Sequence, residues 1–394
     1  MRKLLAPTLN QSQSAWPEFE KGRSSSSRPP PCSWWAASPC RTDECKKRCE
    51  MSMMRHMLMV KFRDGRGEWR LVRPLAPKRL QLREFVHRRV SQLGPRPVGS
   101  QSLDRALQCV LSAAEEIKET ADPEVGVEVD VFRAESGANR LGSGAFEGKT
   151  LVYSDLVHII LRITPKNKYG SEAAEDIANA ILVSAHIDTG LETSSDVSVM
   201  LELARGVSQQ ASGFKNSVIF LFNSGEEEGL NGAHSFVTQI GSIIHPWSDT
   251  IRLAVDLEAL GIGGKSGIFQ AGPDSWGVEK FASAAKYPSG NVIAQDIFSS
   301  GVIKSATDFQ VYNEVSSLSG LDLAYTDNTA VYHTKNDKVE LLKPGSLQHL
   351  GENLLPFLLE AASSSDLPEG KTLGDGGKTG HESSIFFYIL VINI

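Results

Sequence analysis

Cysteine is scarce in this sequence and unevenly distributed. Only five of the 394 residues are Cys, and four of them lie within the first fifty positions: Cys32, Cys40, Cys45 and Cys49. Because no CxxC pair and no neighbouring His completes a zinc-finger pattern, we interpret this group as cysteines of a tail. The fifth, Cys109, falls in a helical pattern and is expected in the core. The cysteine content therefore does not require an oxidising compartment.

Long apolar runs are also missing. No stretch of the sequence reaches the roughly 20 apolar residues that cross a bilayer. The apolar C-terminal stretch, Ile385 to Ile394, has about half that length. The N-terminus lacks the apolar core of a secretory signal. The sequence as written is therefore expected to be soluble or peripheral.

The charge balance gives no indication of a nucleic-acid partner. The formal net charge is −6, although Lys61 to Arg96 is strongly basic and the remainder is acidic. Basic stretches near a terminus either lie against anionic lipid or keep a tail solvated, and we interpret this one as a solvated tail.

Three segments are expected along the chain. Residues 1–93 read as a disordered or irregular basic tail, because they are low in hydrophobic periodicity and include the run SSSSRPPP. Residues 94–363 alternate apolar strand and helix patterns and are predicted to form one domain. Residues 364–394 read as a linker followed by a short apolar C-terminus.

The alternation of strands and helices in the middle segment predicts an α/β fold. Helices are expected at Ser102–Glu119, Val197–Val207, Ala233–Gln239, Trp276–Lys286, Asp308–Val315 and Leu347–Ala361. Strands are expected at Val125–Phe132, Tyr153–Ile163, Ala180–Ile187, Val218–Phe222, Arg252–Leu257, Gly267–Ala271, Val292–Ile297 and Leu321–Tyr325.

The stretch SVIFLFNSGEEEGLNG, Ser217 to Gly232, is the most informative part of the sequence. Its apolar run predicts a strand that is buried on both faces, as in a parallel sheet, whose ligands bind beyond the carboxyl ends of the strands. The next residues are Glu226, Glu227 and Glu228, which repel one another unless a cation or a shared proton holds them. The alternative is a solvated acidic turn that begins a helix.

Other strand ends or the loops after them carry further candidate metal ligands: His186 with Asp188, Asp256, and His333. Imidazole and carboxylate together suit zinc. Asp188 is two residues beyond His186, so both can face the same way and Asp188 can orient the imidazole ring. Glu226 and Glu227 are adjacent and diverge, so one can bind metal while the other contacts a water.

Five motifs in order, ILVSAHID, MLELARG, FLFNSGEEEGLNGAHSF, VDLEALGIGG and AVYHTKND, make residues 94–363 resemble the co-catalytic dizinc aminopeptidases. That family includes bacterial leucyl aminopeptidases and the vacuolar and transferrin-receptor-like relatives. The resemblance is strongest to the plant form of the endoplasmic reticulum metallopeptidase group. It implies a three-layer α/β/α sandwich with a mixed, mainly parallel central sheet, and association with the endoplasmic reticulum membrane.

The resemblance also implies a role for each matching residue. His186 and Asp256 would bind one zinc ion, and Glu227 and His333 would bind the other. Glu226 would be the general base for a metal-activated water, and Asp188 would orient His186. The implied reaction is the removal of an N-terminal residue from a peptide substrate.

The sequence departs from this family after the HID motif, where the loop that carries a metal-bridging aspartate is several residues short. Glu192 falls at the position of that aspartate, and Asp196 is a rival that also suits a helix N-cap. Two cations a few ångströms apart need a negative bridge. The alternative interpretation is therefore a non-catalytic, metal-poor, peptidase-like binding ectodomain. A single-zinc transferase of the glutaminyl cyclase kind is a third hypothesis.

The membrane-spanning regions expected for the family do not match any segment of this sequence.

Overall fold

The computed structural model describes residues 60–63, 69–72, 93–166, 179–190, 196–210, 213–238, 245–300, 302–303, 305–343 and 345–368. The chain divides into two compact units, Met1–Pro74 and Leu75–Ile394. In the first unit, β1 (Val60–Arg63) pairs antiparallel with β2 (Trp69–Val72). These two strands lie in the segment that was expected to be an irregular tail.

The second unit contains a seven-stranded mixed sheet. Its strands are β3 (Val125–Asn139), β4 (Leu151–Pro165), β5 (Ala180–His186), β6 (Ser217–Asn223), β7 (Ile251–Ala259), β8 (Ser266–Gly272) and β9 (Gly320–Tyr325). They lie in the order β3-β4-β6-β5-β7-β9-β8. The four central strands, β6, β5, β7 and β9, are parallel to one another. The outer strands β3, β4 and β8 pair antiparallel with their neighbours, so the prediction of a mixed sheet is confirmed.

Helices cover both faces of this sheet. They are α1 (Gln101–Glu119), α2 (Asp196–Ser208), α3 (Asn231–Val237), α4 (Trp276–Ala284), α5 (Val292–Ser299), α6 (Asp308–Glu314) and α7 (Ser346–Ser363). One group packs α2 against α1 and α7, with α4 against α7, whereas α3 packs against α6. Every residue of β5, β6 and β9 is buried, which explains why these strands are continuous apolar runs. Among the described residues, no helix combines the length and apolarity that crossing a membrane requires.

Two element predictions were wrong in ways that affect the site. Residues 292–297, expected as a strand, lie in helix α5, where Ile293 and Ile297 are four residues apart and share one helix face. Their β-branched side chains mimic a strand pattern, whereas Asn291 caps a helix by accepting a hydrogen bond from the Ile293 backbone N–H. The second difference concerns β7, which continues through Ala259 instead of ending near Asp256. This longer strand includes Glu258.

Candidate active site

The parallel strands bring the predicted site residues to one edge of the sheet. Strand β5 ends at His186, and β6 ends three residues before Glu226. One potential ligand atom from each of His186, Glu226 and Glu227 lies within 4.8 Å of the others. His186 is about 40 positions from the two adjacent glutamates in sequence. The sheet therefore assembles the cluster that the strand-end argument predicted.

The two ring nitrogens of His186 have different neighbours. Nδ1 donates to the Asp188 backbone carbonyl at 2.8 Å, so Nε2 is left as the lone-pair nitrogen, the one that can bind a metal. Nε2 lies 3.8 Å from an Oε atom of Glu258. The Asp188 carboxylate is 4.0 Å from Nδ1 and accepts a hydrogen bond from the Glu227 backbone N–H at 3.2 Å. In this arrangement the backbone of Asp188 orients the imidazole, and its side chain connects two site loops.

Asp256 and Glu258 occupy different environments on strand β7. The Asp256 carboxylate accepts hydrogen bonds from Ser184 Oγ at 2.6 Å and from the Phe309 backbone N–H at 2.8 Å. Glu258 lies two residues further along the same face, and it is the carboxylate beside His186 Nε2. Glu258 was not among the predicted site residues because the predicted strand ended near Asp256, whereas β7 continues to Ala259. The available signal was the two-residue spacing within VDLEA.

A second histidine–carboxylate pair lies beside the first. His333 Nε2 is 3.5 Å from an Oε atom of Glu227. His333 follows β9 in a loop, has a left-handed backbone with φ of 57°, and its ring stacks on Tyr332 with 3.8 Å between centroids. Because Glu227 also belongs to the cluster with His186, the two pairs form one centre.

Crowding of the carboxylates raises pKa values throughout this centre. Burial raises the pKa of Glu226 well above its usual value, and the neighbouring Asp308, Glu227, Asp188 and Asp256 raise it further. Burial and then Glu226 do the same to the pKa of Glu258. The pKa of the Tyr332 hydroxyl is raised by burial and by the carboxylates of Glu258, Glu226 and Glu227. A bound cation would relieve this repulsion.

The two candidates for the bridging position differ in what the structure shows. Glu192 lies outside the described residues. Asp196 is the first residue of α2 and is buried. Burial raises its pKa to about 7, and the nearby Asp256 and Asp337 contribute to that shift. The Asp196 carboxyl group is therefore close enough to Asp256 and Asp337 for their charges to affect it.

The chain is similar in sequence to known metallopeptidases. The model of peptidase family M28 matches residues 159–358. The mouse protein named endoplasmic reticulum metallopeptidase 1 is 32% identical over 318 residues, which cover 79% of this chain and 33% of the mouse protein. The chain thus spans about a third of the length of the curated relatives it matches.

Two solved structures share the fold. The LapA aminopeptidase of Legionella pneumophila superposes with a TM-score of 0.53 at 17% identity, over 73% of each chain. An aminopeptidase from Aneurinibacillus sp. strain AM-1 superposes with a TM-score of 0.52 at 12% identity, over 73% of this chain and 95% of that one. Since the family model covers half of the sequence and includes β5 to β9, the chain belongs to peptidase family M28.

Proposed function

We propose that this chain is a zinc-dependent metallopeptidase that removes N-terminal residues from peptides. The observation that carries the proposal is the pair of adjoining histidine–carboxylate contacts at the carboxyl edge of the sheet. Membership of a peptidase family supports hydrolysis of a peptide bond. The name of the mouse relative, a metallopeptidase, supports the dependence on metal. The names of the two aminopeptidases support cleavage at the N-terminal end of the peptide.

In this proposal His186 and Glu258 hold one zinc ion, and Glu227 and His333 hold the second. Glu258 takes the role that the sequence resemblance gave to Asp256, because its carboxylate lies beside His186 Nε2, whereas the Asp256 carboxylate contacts Ser184 and the Phe309 backbone. The donor set fits zinc, which prefers imidazole nitrogen together with carboxylate oxygen. The raised pKa values of Glu226 and Glu258 also fit, because burial and the neighbouring carboxylates disfavour their charged forms and a bound cation would offset both effects.

Zinc supplies Lewis acidity, which polarises a peptide carbonyl and makes a water easier to deprotonate. Glu226 is the general base: it lies within the cluster but is not needed as a ligand, and it can carry the proton from water to the leaving amine. The Tyr332 hydroxyl faces the same carboxylates and can donate to the carbonyl oxygen of the substrate. Asp188 keeps the His186 and Glu227 loops together.

We propose that Glu192 would take the place of the metal-bridging aspartate, because it falls at that sequence position. A glutamate has one methylene more than the aspartate of the family, and this extra length suits a shortened loop. We also propose that the chain acts at the endoplasmic reticulum membrane, because of the name of its mouse relative.

The substitution Glu226→Gln tests the mechanism. We expect zinc content to stay at the wild-type level and turnover of aminoacyl amide substrates to fall by about 100- to 10,000-fold, the usual contribution of a general base. Glu119→Gln, at an exposed position at the C-terminal end of α1, is the matched control and should retain wild-type turnover. Measurement of zinc per chain and of kcat on the same preparations separates metal binding from chemistry.

Each outcome of this experiment has a clear meaning. A Glu226→Gln variant that turns over at the wild-type rate would remove Glu226 from the mechanism. A wild-type protein that binds zinc but cleaves no amide would favour the non-catalytic binding ectodomain. A folded wild-type protein without zinc would contradict the proposal as a whole.

A further inference from the structure

The segment Gly94–Ser100 connects the first helix to the candidate metal centre. It lies upstream of the residues that the family model matches. At its middle is Arg96, whose side chain is 0% exposed. A guanidinium is seldom buried completely unless hydrogen bonds replace those it made to water. The contacts of Arg96 therefore indicate what the burial achieves.

Arg96 binds the loop that follows His186. Its Nε donates to the Ile187 carbonyl at 2.9 Å, which belongs to the peptide group that joins Ile187 to Asp188. Its backbone pairs with Thr189 in both directions: the Arg96 N–H donates to Thr189 Oγ1 at 3.1 Å, and the Thr189 N–H donates to the Arg96 carbonyl at 3.3 Å. These bonds join Arg96 to residues more than 90 positions away in sequence, immediately after the proposed zinc ligand His186.

Further hydrogen bonds fix the rest of the Gly94–Ser100 segment. Arg96 Nη1 donates to the Gly94 carbonyl at 3.1 Å, so the fork of the guanidinium holds the segment and the ligand loop together. Ser100 caps α1 by accepting from the Leu103 N–H. The Val98 N–H donates to Glu228 Oε1 at 3.3 Å, next to Glu227. The segment therefore contacts both loops that supply opposite halves of the metal centre.

We propose that Arg96 is a positioning residue that sets the geometry of His186 for zinc through the backbone of the His186–Thr189 loop. This inference rests on the proposed zinc site. The nitrogen that binds metal is Nε2, and its direction depends on the Nδ1 bond to the Asp188 carbonyl. Arg96 holds the preceding carbonyl, so release of Arg96 would let this short loop rotate and misdirect the imidazole.

Arginine is suited to this task in a way that lysine is not. Its planar fork directs Nε and Nη1 to two carbonyls at once, whereas an ammonium group is a point charge on a flexible stem. Arg96→Lys therefore preserves the buried charge but gives up the two-point contact. Loss of a group that orients a metal ligand typically weakens metal binding by about 10- to 100-fold. We expect a loss of that size in zinc affinity.

The experiment compares Arg96→Lys and Arg96→Met with Arg162→Met in the full chain. Arg162 is a suitable control because its side chain is 11% exposed and contacts Glu128 and the Trp247 ring. It pairs with Ile219 in the register of β4 and β6, towards the end of β6 away from the ligands. Zinc affinity is measured by competition with a chromophoric chelator, and the melting temperature of the metal-free protein is measured alongside. The visible spectrum of the Co²⁺-loaded protein reports ligand geometry.

The proposal requires Arg96→Lys to bind zinc about 10- to 100-fold more weakly with an altered Co²⁺ spectrum. Arg162→Met should change neither, even if its melting temperature falls further. Wild-type zinc affinity in a folded Arg96→Lys protein would overturn the proposal. An equal loss of affinity in Arg162→Met would also overturn it, because general destabilisation would then account for the effect.

Hydrogen exchange of the metal-free protein tests whether Arg96 holds the loop, independently of whether the protein binds zinc. The Ile187 N–H donates to the Asn223 carbonyl and the Thr189 N–H to Arg96, so release of the loop should speed exchange at these amides. We expect faster exchange there in Arg96→Lys and not in Arg162→Met. If the wild type binds no zinc, the proposed function fails on that result. Unchanged exchange at Ile187 and Thr189 would independently show that Arg96 does not hold the loop.

Discussion

The two halves of the candidate metal centre are built differently. The strand half consists of His186 and Glu258, which lie on the paired neighbouring strands β5 and β7 and are 8% and 4% exposed. The loop half consists of Glu227, in the turn after β6, and His333, in the loop after β9. The His333 side chain is 45% exposed.

This difference bears on how tightly each half can hold an ion. Ladder hydrogen bonds on both sides of β5 and β7 fix the backbone of the strand half, so little conformational entropy is lost when a ligand is bound. The loop half depends on two turns, one of which carries a left-handed histidine. We therefore expect the strand half to bind the first zinc ion and the loop half to bind the second more weakly.

The largest expected effect comes from the carboxylate of the strand half. Glu258→Gln removes a charged ligand beside His186 Nε2, so affinity for the first zinc ion should fall by more than the roughly 10- to 100-fold that loss of an outer partner costs. The matched variant is Asp256→Asn, two residues away on the same face. Chelator competition on both variants measures the difference.

The comparison between these two variants also decides which residue is the ligand. If Asp256 acts only through its bonds with Ser184 and Phe309, Asp256→Asn should lower stability more than it lowers zinc affinity. A variant pair in which Asp256→Asn loses the metal and Glu258→Gln keeps it would restore Asp256 to the ligand set.

A smaller effect is expected in the loop half. His333→Ala should weaken only the second zinc ion, by on the order of 10- to 100-fold, because water can replace an exposed ligand. Its effect on the unfolding free energy of the metal-free protein should stay within about 0.5 kcal/mol, as for most exposed substitutions. Zinc titration monitored by calorimetry would resolve one unchanged and one weakened step. Loss of both steps together would show that the halves bind as a unit.

The fold was largely predictable because its strands have a strong signal. Strands β5, β6 and β9 are mainly apolar and wholly buried, so their composition distinguishes them from their surroundings. Residues 292–297 had the same β-branched composition but form helix α5. Short apolar runs do not distinguish a strand from a helix, and tertiary packing decides between them.

The site was predictable only in part, for a related reason. His186, Glu226, Glu227 and His333 follow strand ends, and the structure brings them together. Glu258 was missed because strand ends are the least certain feature of a sequence, and a two-residue error moves this candidate ligand off the strand. Arg96 carries no motif that marks its contact with Ile187; that contact depends on a pairing more than 90 residues apart in sequence.

The expected effect on the metal centre itself is smallest for the residue that supports the turn of the loop half. His158 is buried on β4 beneath that turn: its Nδ1 accepts from the Ser224 backbone N–H at 3.2 Å, and its Nε2 donates to Ser235 Oγ at 2.8 Å. Ser235 Oγ in turn donates to the Gly232 carbonyl, which makes it the acceptor for Nε2. These two hydrogen bonds require the neutral imidazole, because Nδ1 must keep its lone pair. Burial, with His245 nearby, lowers the pKa of His158 to about 3.

The low pKa of His158 makes the folded protein sensitive to acid. The unfolded chain binds this proton near pH 6.5 and the folded chain near pH 3, so stability is lost as pH falls between those values, by about 1.4 kcal/mol per pH unit. His158→Asn keeps an acceptor for Ser224 but cannot take up a proton. Urea unfolding of the metal-free variant at pH 4, 5 and 6 should therefore give a pH slope smaller than that of the wild type by about this amount. Identical slopes would mean that His158 is already protonated in the folded protein, and that the Ser224 turn does not depend on its neutral form.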